Sequence, residues 1–431
     1  MRDILVTLLV FGSIPFILRK PYIGVLVWSW LSYMNPHRLG WGFAYDMPFA
    51  QIIAIVLFVA IVFSKEKKRI PLTATTVIWI IFLIWMGVTT IFAYFPDDAF
   101  LQYKKIIKIQ FVTFATMMLM TDIGRIRKLI WIIVLSIGYF TVKGGIFTLL
   151  TGGGYRVWGP PDSFIEGNNE LAVAGLMIIP LMIYMYQIYE KKTIKYGMII
   201  AIILSVFTIL GTQSRGALIA ILAVGIYFWL KSRRKLASGF FIAIMAVSLL
   251  AFMPESWYSR METIETYEQD RSAMGRLNAW QYAINVANDK VFGVGMDAWS
   301  LDTFALYAPN PTDVHAAHSI YFSVLADHGW IGLFLFLMIF YLTWRSLVTV
   351  IKKSNGKEEL KEFNILAKML QVGFISYFVG GAFLSLSYFD LPWHFASFAV
   401  LLRLQLERLL IQQSDSKPAT YGNLGKLSRP Q

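Results

Sequence analysis

The chain of 431 residues has no cysteine, and only 15% of its residues are charged. The first absence excludes a disulfide framework, a thiol nucleophile and a thiolate metal site. The second, in a chain that is 57% hydrophobic, excludes the surface of an ordinary soluble domain. Acidic residues are scarcer than basic ones, 26 against 39, for a net charge of +13. In a soluble protein that excess would point to nucleic acid. Here the basic residues sit between long apolar runs, where Lys and Arg collect in the cytoplasmic loops of membrane proteins, and no nucleic-acid partner is expected. Alternation of apolar and polar residues is missing, so a barrel is not expected. No internal repeat is visible, whereas the related halves of a transporter would show one. The N-terminal apolar run lacks a small-residue cleavage site and reads as a retained membrane helix.

What is present is a series of apolar runs, many close to the roughly 18–20 residues that cross a bilayer core as a helix. They fall at 4–18, 21–34, 49–64, 76–94, 106–120, 129–150, 171–189, 197–211, 217–230, 238–253, 332–350, 366–386 and 393–410. Basic clusters such as 65–69 and 231–235 alternate with acidic or Gly-rich loops, which sets each run's direction. The expected fold is an all-α polytopic membrane protein with about twelve transmembrane helices, the short first pair deciding between twelve and thirteen. Residues 1–150 form an N-terminal set of membrane helices, and 151–350 a core with one large outer loop at 254–317. Residues 351–411 form a C-terminal set, and 412–431 a polar cytoplasmic tail expected to be disordered. Within the outer loop, 272–288 reads as a helix with Leu277, Trp280, Ile284 and Ala287 at helical spacing. It would lie on the membrane surface or cover a site, with Arg276 and Trp280 one turn apart on one face.

The charge rule leaves a remainder of cations on the outer side: Lys104, Lys105, Lys108, Lys143, Arg156, Arg215 and Arg276. Charge at membrane depth is costly and usually faces a partner or a wet cavity. The lysines have an ordinary alternative, snorkelling to headgroups or pairing with Asp97, Asp98 or Glu170. Arg215 stands in a turn of a few residues between two spans. Cations from separate helices suit a polyanion, because Arg presents a planar fork to phosphate oxygens and Lys adds a point charge. The outer face has no ATP, so an activated substrate there carries its own leaving group, as a lipid diphosphate does. The stretch 315–332, HAAHSIYFSVLADHGWIG, places His318 at the outer entrance of a span. A neutral imidazole there can take a proton from a hydroxyl; hydrogen bonding to headgroups or backbone is the plainer alternative. Asp313, His315 and His318 could also be metal ligands, but two His at i, i+3 with one Asp is a weak zinc pattern. His37 and His328 read as interfacial, and His394 is assigned no role.

A His-Ser pair followed after nine residues by Gly-x-x-Gly, here His318, Ser319, Gly329 and Gly332, resembles the signature of the O-antigen ligase family. TQSRGA around Arg215 is similar to that family's Ser-Arg-Gly element. GRLNAW with Arg276, followed by GVGMDAW, resembles the elements of its large outer loop, and GGGYRVWGP with NNELA resembles its preceding outer loop. The N-terminal SYMNPHRLGWGFAYDMPFA looks like a branch of O-glycosylation ligases associated with exosortase systems. The resemblance implies a GT-C-type glycosyltransferase fold in the bacterial inner membrane, its active site facing the periplasm. It implies an undecaprenyl-diphosphate-linked glycan as donor, lipid A–core oligosaccharide as acceptor, and neither metal nor cofactor. His318 would be the base. Arg215 and Arg276 would hold the diphosphate, with Arg156, Lys143, Lys104 and Lys108 in support. The implied activity is that of an O-antigen ligase in lipopolysaccharide biosynthesis. A protein O-oligosaccharyltransferase or an O-antigen polymerase would use the same donor, and a lipid or anion transporter is a remoter alternative.

Overall fold

The computed structural model describes residues 1–66, 68–232, 234–251, 253, 255, 258 and 271–415. The regular structure among these residues is helical, with no strand. In chain order the helices are α1 (Arg2–Arg19), α2 (Tyr22–Met34), α3 (Phe49–Phe63), α4 (Ala74–Ile91), α5 (Pro96–Leu119) and α6 (Ile123–Leu150). Then come α7 (Asn168–Ile188), α8 (Lys192–Gly211), α9 (Arg215–Lys231), α10 (Lys235–Ala251) and α11 (Arg271–Asp289). Last are α12 (Leu301–Tyr307), α13 (Ile320–Ser354), α14 (Lys361–Gly381) and α15 (Asp390–Asp415).

Among the described residues, α4, α6, α7, α8, α13 and the segment Glu358–Gly381 are long and apolar enough to cross a membrane. Tyr22–Met34 and Phe49–Phe63 are shorter apolar helices. The chain is a multi-pass membrane protein. Local chemistry sets several helix ends. Thr73 and Thr76 form a reciprocal capping box at the start of α4, and Asp122 accepts from Arg125 N at the start of α6. Asn35, in the left-handed region at φ 48°, ends α2. The expected run at 106–120 is part of a longer helix, because Pro96 opens α5 and Asp97 and Asp98 occupy its first turn. Lys104, Lys105 and Lys108 therefore ride on a helix. At the other end of the chain, α15 carries residues 412–415 of the expected disordered tail in a helix, and 416–431 lie outside the described residues. The start of the expected outer loop, between 259 and 270, also lies outside them.

Lipid tails give no hydrophobic drive for helices to associate, so close backbone approach and interhelical hydrogen bonds do that work. α6 and α8 show both. A Cβ at Gly145 would collide with the Leu204 carbonyl, and Ser205 Oγ donates to Thr141 Oγ1 at 2.8 Å. Deeper in, Trp79, Phe82, Phe336, Phe340 and Trp393 form an aromatic centre, Trp79 and Trp393 lying 4.9 Å apart between ring centroids. At the end of the bundle remote from His318, Arg127 forks onto Glu362 through Nε at 2.6 Å and Nη2 at 2.7 Å, and Tyr184 OH donates to the same carboxylate. That triad joins α6, α7 and α14.

The long helix α13 is broken. Gly329 has φ 68° and ψ −173°, so residues 320–328 and 330–354 are two helical segments meeting at a kink. A break in mid-helix strands carbonyls that would bond four residues ahead. Here they are answered from outside. Val294 N donates to Ala326 O at 2.9 Å, Gly295 N to Asp327 O at 3.2 Å, and Trp85 Nε1 to His328 O at 2.9 Å. The Gly-x-Gly of 293–295 and the Gly-x-x-Gly of 329–332, far apart in sequence, are thus two halves of one joint. A side chain at Gly329 would meet the Val291 carbonyl oxygen, and one at Gly293 the Ala326 carbonyl oxygen. Gly329→Ala is expected to destabilise the fold by about 1–3 kcal/mol from this essentially glycine-only backbone conformation alone, with the collision adding to it. A clear drop in the unfolding temperature of the detergent-solubilised protein checks this; an unchanged transition would remove the role given to the joint.

Candidate functional site

The turn between α8 and α9 is the first part of the site. Thr212 to Ser214 are all buried, and Gln213 takes φ 54°. The turn is held from three sides. Asn168 Nδ2 donates to Thr212 O at 2.7 Å, Gln213 Nε2 to Gly153 O at 3.1 Å, and Val157 N to Gly211 O at 3.1 Å. Ser214 caps α9 by accepting from Ala217 N. Arg215 is therefore the first residue of a helix whose start is clamped. Arg156 Nε reaches Gln213 Oε1 at 3.5 Å, which brings the Gly-rich loop's arginine to the same turn.

The second part is the segment 308–319 laid along α11. Asn278 holds it through three bonds, with Asn310 N, Asn310 O and Asp313 O, each 2.9 Å. Trp280 Nε1 donates to Ala317 O at 2.8 Å, and its ring stacks on Phe322 at 4.9 Å. A Cβ at Gly275 would run into the His315 ring, so this glycine lets the two elements touch. His315 pairs with Asp313 at 2.9 Å. Held in this way, His318 adopts φ 43°, a left-handed conformation uncommon for a residue with a side chain. It is half-buried, and burial pushes its imidazole below the ordinary value, with the charge of Arg276 and the neighbouring His315 acting in the same direction. A neutral, proton-accepting ring at pH 7 is the result. Arg276 also interacts electrostatically with Glu170, two residues beyond the Asn168 that clamps the α8–α9 turn.

The helix expected over 272–288 is found as α11, but its buried face is rotated from the one the spacing suggests. Ala279, Tyr282, Ala283, Val286 and Ala287 are buried, while Leu277 is 43% exposed. Small alanines let Tyr282 stack on Phe304 at 4.3 Å, and that contact sets the rotation. Arg276 and Trp280 are left on the side of α11 that faces His318 and Ala317.

The structure brings His318 and Arg276 together. It ties Arg156 to the turn that carries Arg215, and that turn to α7, whose Glu170 faces Arg276. Phe383 closes the arrangement, lying against Gly216 on one side and 6.4 Å from the Trp280 ring on the other. The lysines lie elsewhere. Lys104 is exposed with its Nζ over the Phe100 ring, and Lys108 donates to Gln51 on α3 at 3.2 Å. Lys143 is exposed at an apolar groove between α6, α7 and α8. Among the described residues, no three His, Asp or Glu side chains converge as a metal cage would need.

Three histidines differ in setting from His318. His328, which reads as interfacial, is fully buried below the kink, between Thr89 Oγ1 at 2.7 Å and Tyr388 OH at 2.9 Å. His394 is buried against Tyr33 OH at 2.6 Å. His37 packs edge-on against Phe49. A further group of polar residues, from α5, the 296–299 loop, α13 and the α14–α15 turn, surrounds a cavity beside Ala316. Their sequence positions carry no shared pattern.

The fold and this site define a class: a multi-pass, all-helical membrane protein with a cationic, histidine-bearing site built where its helices meet a helical cap. Residues 200–337 match the family model described as O-antigen ligase. The matched segment contains Arg215, Arg276, His318 and both glycine elements of the kink. Residues 1–190 match a family of unknown function (DUF5935). No curated protein matches the chain.

Proposed function

We propose that the chain is an O-antigen ligase, a glycosyltransferase that moves a glycan from undecaprenyl diphosphate to lipid A–core oligosaccharide in lipopolysaccharide biosynthesis. The observation that carries this is His318, kept neutral by burial beside Arg276, with Arg156 and Arg215 joined to the same assembly through Gln213 and α7. The acceptor hydroxyl oxygen attacks the anomeric carbon, and His318 takes the hydroxyl proton. The bond from that carbon to the phosphate oxygen breaks, and its electron pair leaves with the lipid diphosphate. Arg215 and Arg276 stabilise the charge that develops there. Lys104, Lys108 and Lys143 are assigned to longer-range attraction of the donor. Fixed cations supply the electrostatic role without a metal, and no cofactor is required.

The test is an assay of the purified protein with a lipid-diphosphate glycan and three acceptors: lipid A–core, a pilin-like protein and a second lipid-linked glycan. Transfer to lipid A–core, undiminished by EDTA, is expected. Transfer only to protein would make the chain an O-oligosaccharyltransferase, and transfer only to the second glycan a polymerase. No transfer to any of them overturns the reading, and loss on chelation overturns its metal independence.

The same reading places the chain in the bacterial inner membrane in a GT-C-type arrangement of about twelve spans, with His318 at the periplasmic face. Single cysteines introduced at Lys235 and Asp302 check the orientation. An impermeant thiol reagent is expected to label position 302 and spare 235 in intact spheroplasts; the opposite pattern would invert the topology.

A further inference from the structure

The cavity beside Ala316 has a volume of about 200 Å³. Lys105, Asp297, Trp299, Ser323, Asp327 and Tyr388 are among the residues that line it. Asp327 is only 4% exposed. One of its oxygens, Oδ2, accepts from Tyr388 OH at 2.8 Å, and the other, Oδ1, has no hydrogen-bond partner. A buried carboxyl oxygen left open in this way is expensive unless something hydrogen-bonds to it. Ser323 lies one helical turn before Asp327 on the same face, and one turn earlier again is Ser319, whose buried Oγ also has no partner. Ser319 is the residue next to His318. A stripe of open acceptors and hydroxyls thus runs from the candidate base to the cavity.

The lining selects a ligand class. Among the described lining residues Lys105 is the one cation, it faces two aspartates, and no arginine fork is present, so the lining does not match a diphosphate and this is not an extension of the arginine site. Carboxylate and hydroxyl groups on one wall and the Trp299 ring on another suit a ring with hydroxyl donors on its rim and C–H groups on its face. We propose that this cavity is a carbohydrate subsite, that Asp327 Oδ1 accepts a hydroxyl of the bound sugar, and that the sugar belongs to the acceptor. The choice of acceptor over donor rests on the transfer reading above, since the arginines claim the diphosphate side of His318. Sugar binding itself does not rest on it.

The lack of native cysteine makes a direct test available. Ser323→Cys puts a single thiol in the cavity, and its rate of reaction with methyl methanethiosulfonate is followed by intact mass in nanodiscs. Methyl glycosides of glucose, galactose and N-acetylglucosamine are the probes, with pyrophosphate as the contrasting anion. At least one glycoside is expected to slow labelling by about tenfold, the slowing that accompanies nine-tenths occupancy, while pyrophosphate does not. Adding Asp327→Asn, which keeps an oxygen for Tyr388 but turns the open acceptor into a donor, is expected to abolish the protection. A thiol that never reacts, protection by pyrophosphate in place of sugar, or protection unaffected by Asp327→Asn each overturns the proposal. Transfer is measured on the Asp327→Asn protein without the cysteine, where the acceptor KM is expected to rise and the donor KM to hold; the reverse split assigns the sugar to the donor and overturns the acceptor assignment. Protection in a chain that transfers no glycan would sink the function and spare the subsite, and transfer without protection would do the opposite.

Discussion

His318→Ala is expected to leave the protein folded and membrane-inserted and to lower glycan transfer by about 10²–10⁴, the usual worth of general-base help. The side chain is half-buried and forms no part of the aromatic centre, so its removal costs little packing. His315→Ala should do much less, because His315 pairs with Asp313 and packs on Gly275 at the periphery of the site. Equal losses in the two variants would indicate a shared structural role and remove His318 as the base. The pH profile gives an independent check. Transfer needs the imidazole unprotonated, and its folded value lies below the ordinary 6.5. Activity should therefore be flat from neutral pH down to that lowered value and fall only below it. Arg276 is one cause of the lowering, since a nearby positive charge disfavours imidazolium. In Arg276→Gln the acid limb of the residual activity should move to higher pH. A limb that stays in place, or moves lower, contradicts the assigned contact.

The second large effect concerns the leaving group. Arg215→Ala and Arg276→Ala are each expected to lower transfer by about 10²–10³, the range seen when one preorganised donor to a developing anion is removed. The two should differ in how they fail. Arg215 starts α9 from a turn held by Asn168, Gln213 and the 151–159 loop, so it is already in place before the donor binds. Arg276 sits on α11, whose position depends on the cap. Lysine at either position should rescue only in part, because a point charge cannot reproduce a two-pronged contact with phosphate oxygens. Full turnover in both lysine variants would show that positive potential alone suffices. Normal rates in both alanine variants would place the diphosphate elsewhere.

The helical class and most helix positions were legible because apolar runs of bilayer length have few other readings, and because caps such as Thr73 and Asp122 act within one turn. The pieces of the site were legible one at a time: His318 by its spacing to the glycines, Arg215 by its turn, Arg276 by its helix. Their assembly was not. The contact between Arg156 and Gln213 depends on how two loops fold over α7. The run read as starting at 332 continues a helix that begins at 320 and breaks at Gly329, and only the third dimension brings Val291 and the 293–295 loop against that break. His328 reads as interfacial, yet Thr89 and Tyr388 enclose it. The cavity was the least visible of all. Lys105, Asp297, Asp327 and Tyr388 come from four separated segments, and a single aspartate in an apolar helix looks the same in sequence whether its second oxygen is satisfied or open.

The joint at Gly329 has a bearing on how the protein meets bilayers of different thickness. Tilting is one way a spanning helix answers a change in hydrocarbon depth. In an unbroken α13 any tilt would be carried directly into residues 320–328, which hold the face shared by Ser319, Ser323 and Asp327. Here the peptide carbonyls of Ala326, Asp327 and His328 are anchored to Val294, Gly295 and Trp85, and the chain turns at the next residue. The direction of 330–354 is thereby uncoupled from that of the short segment, which is fixed to the 293–295 loop and to α4.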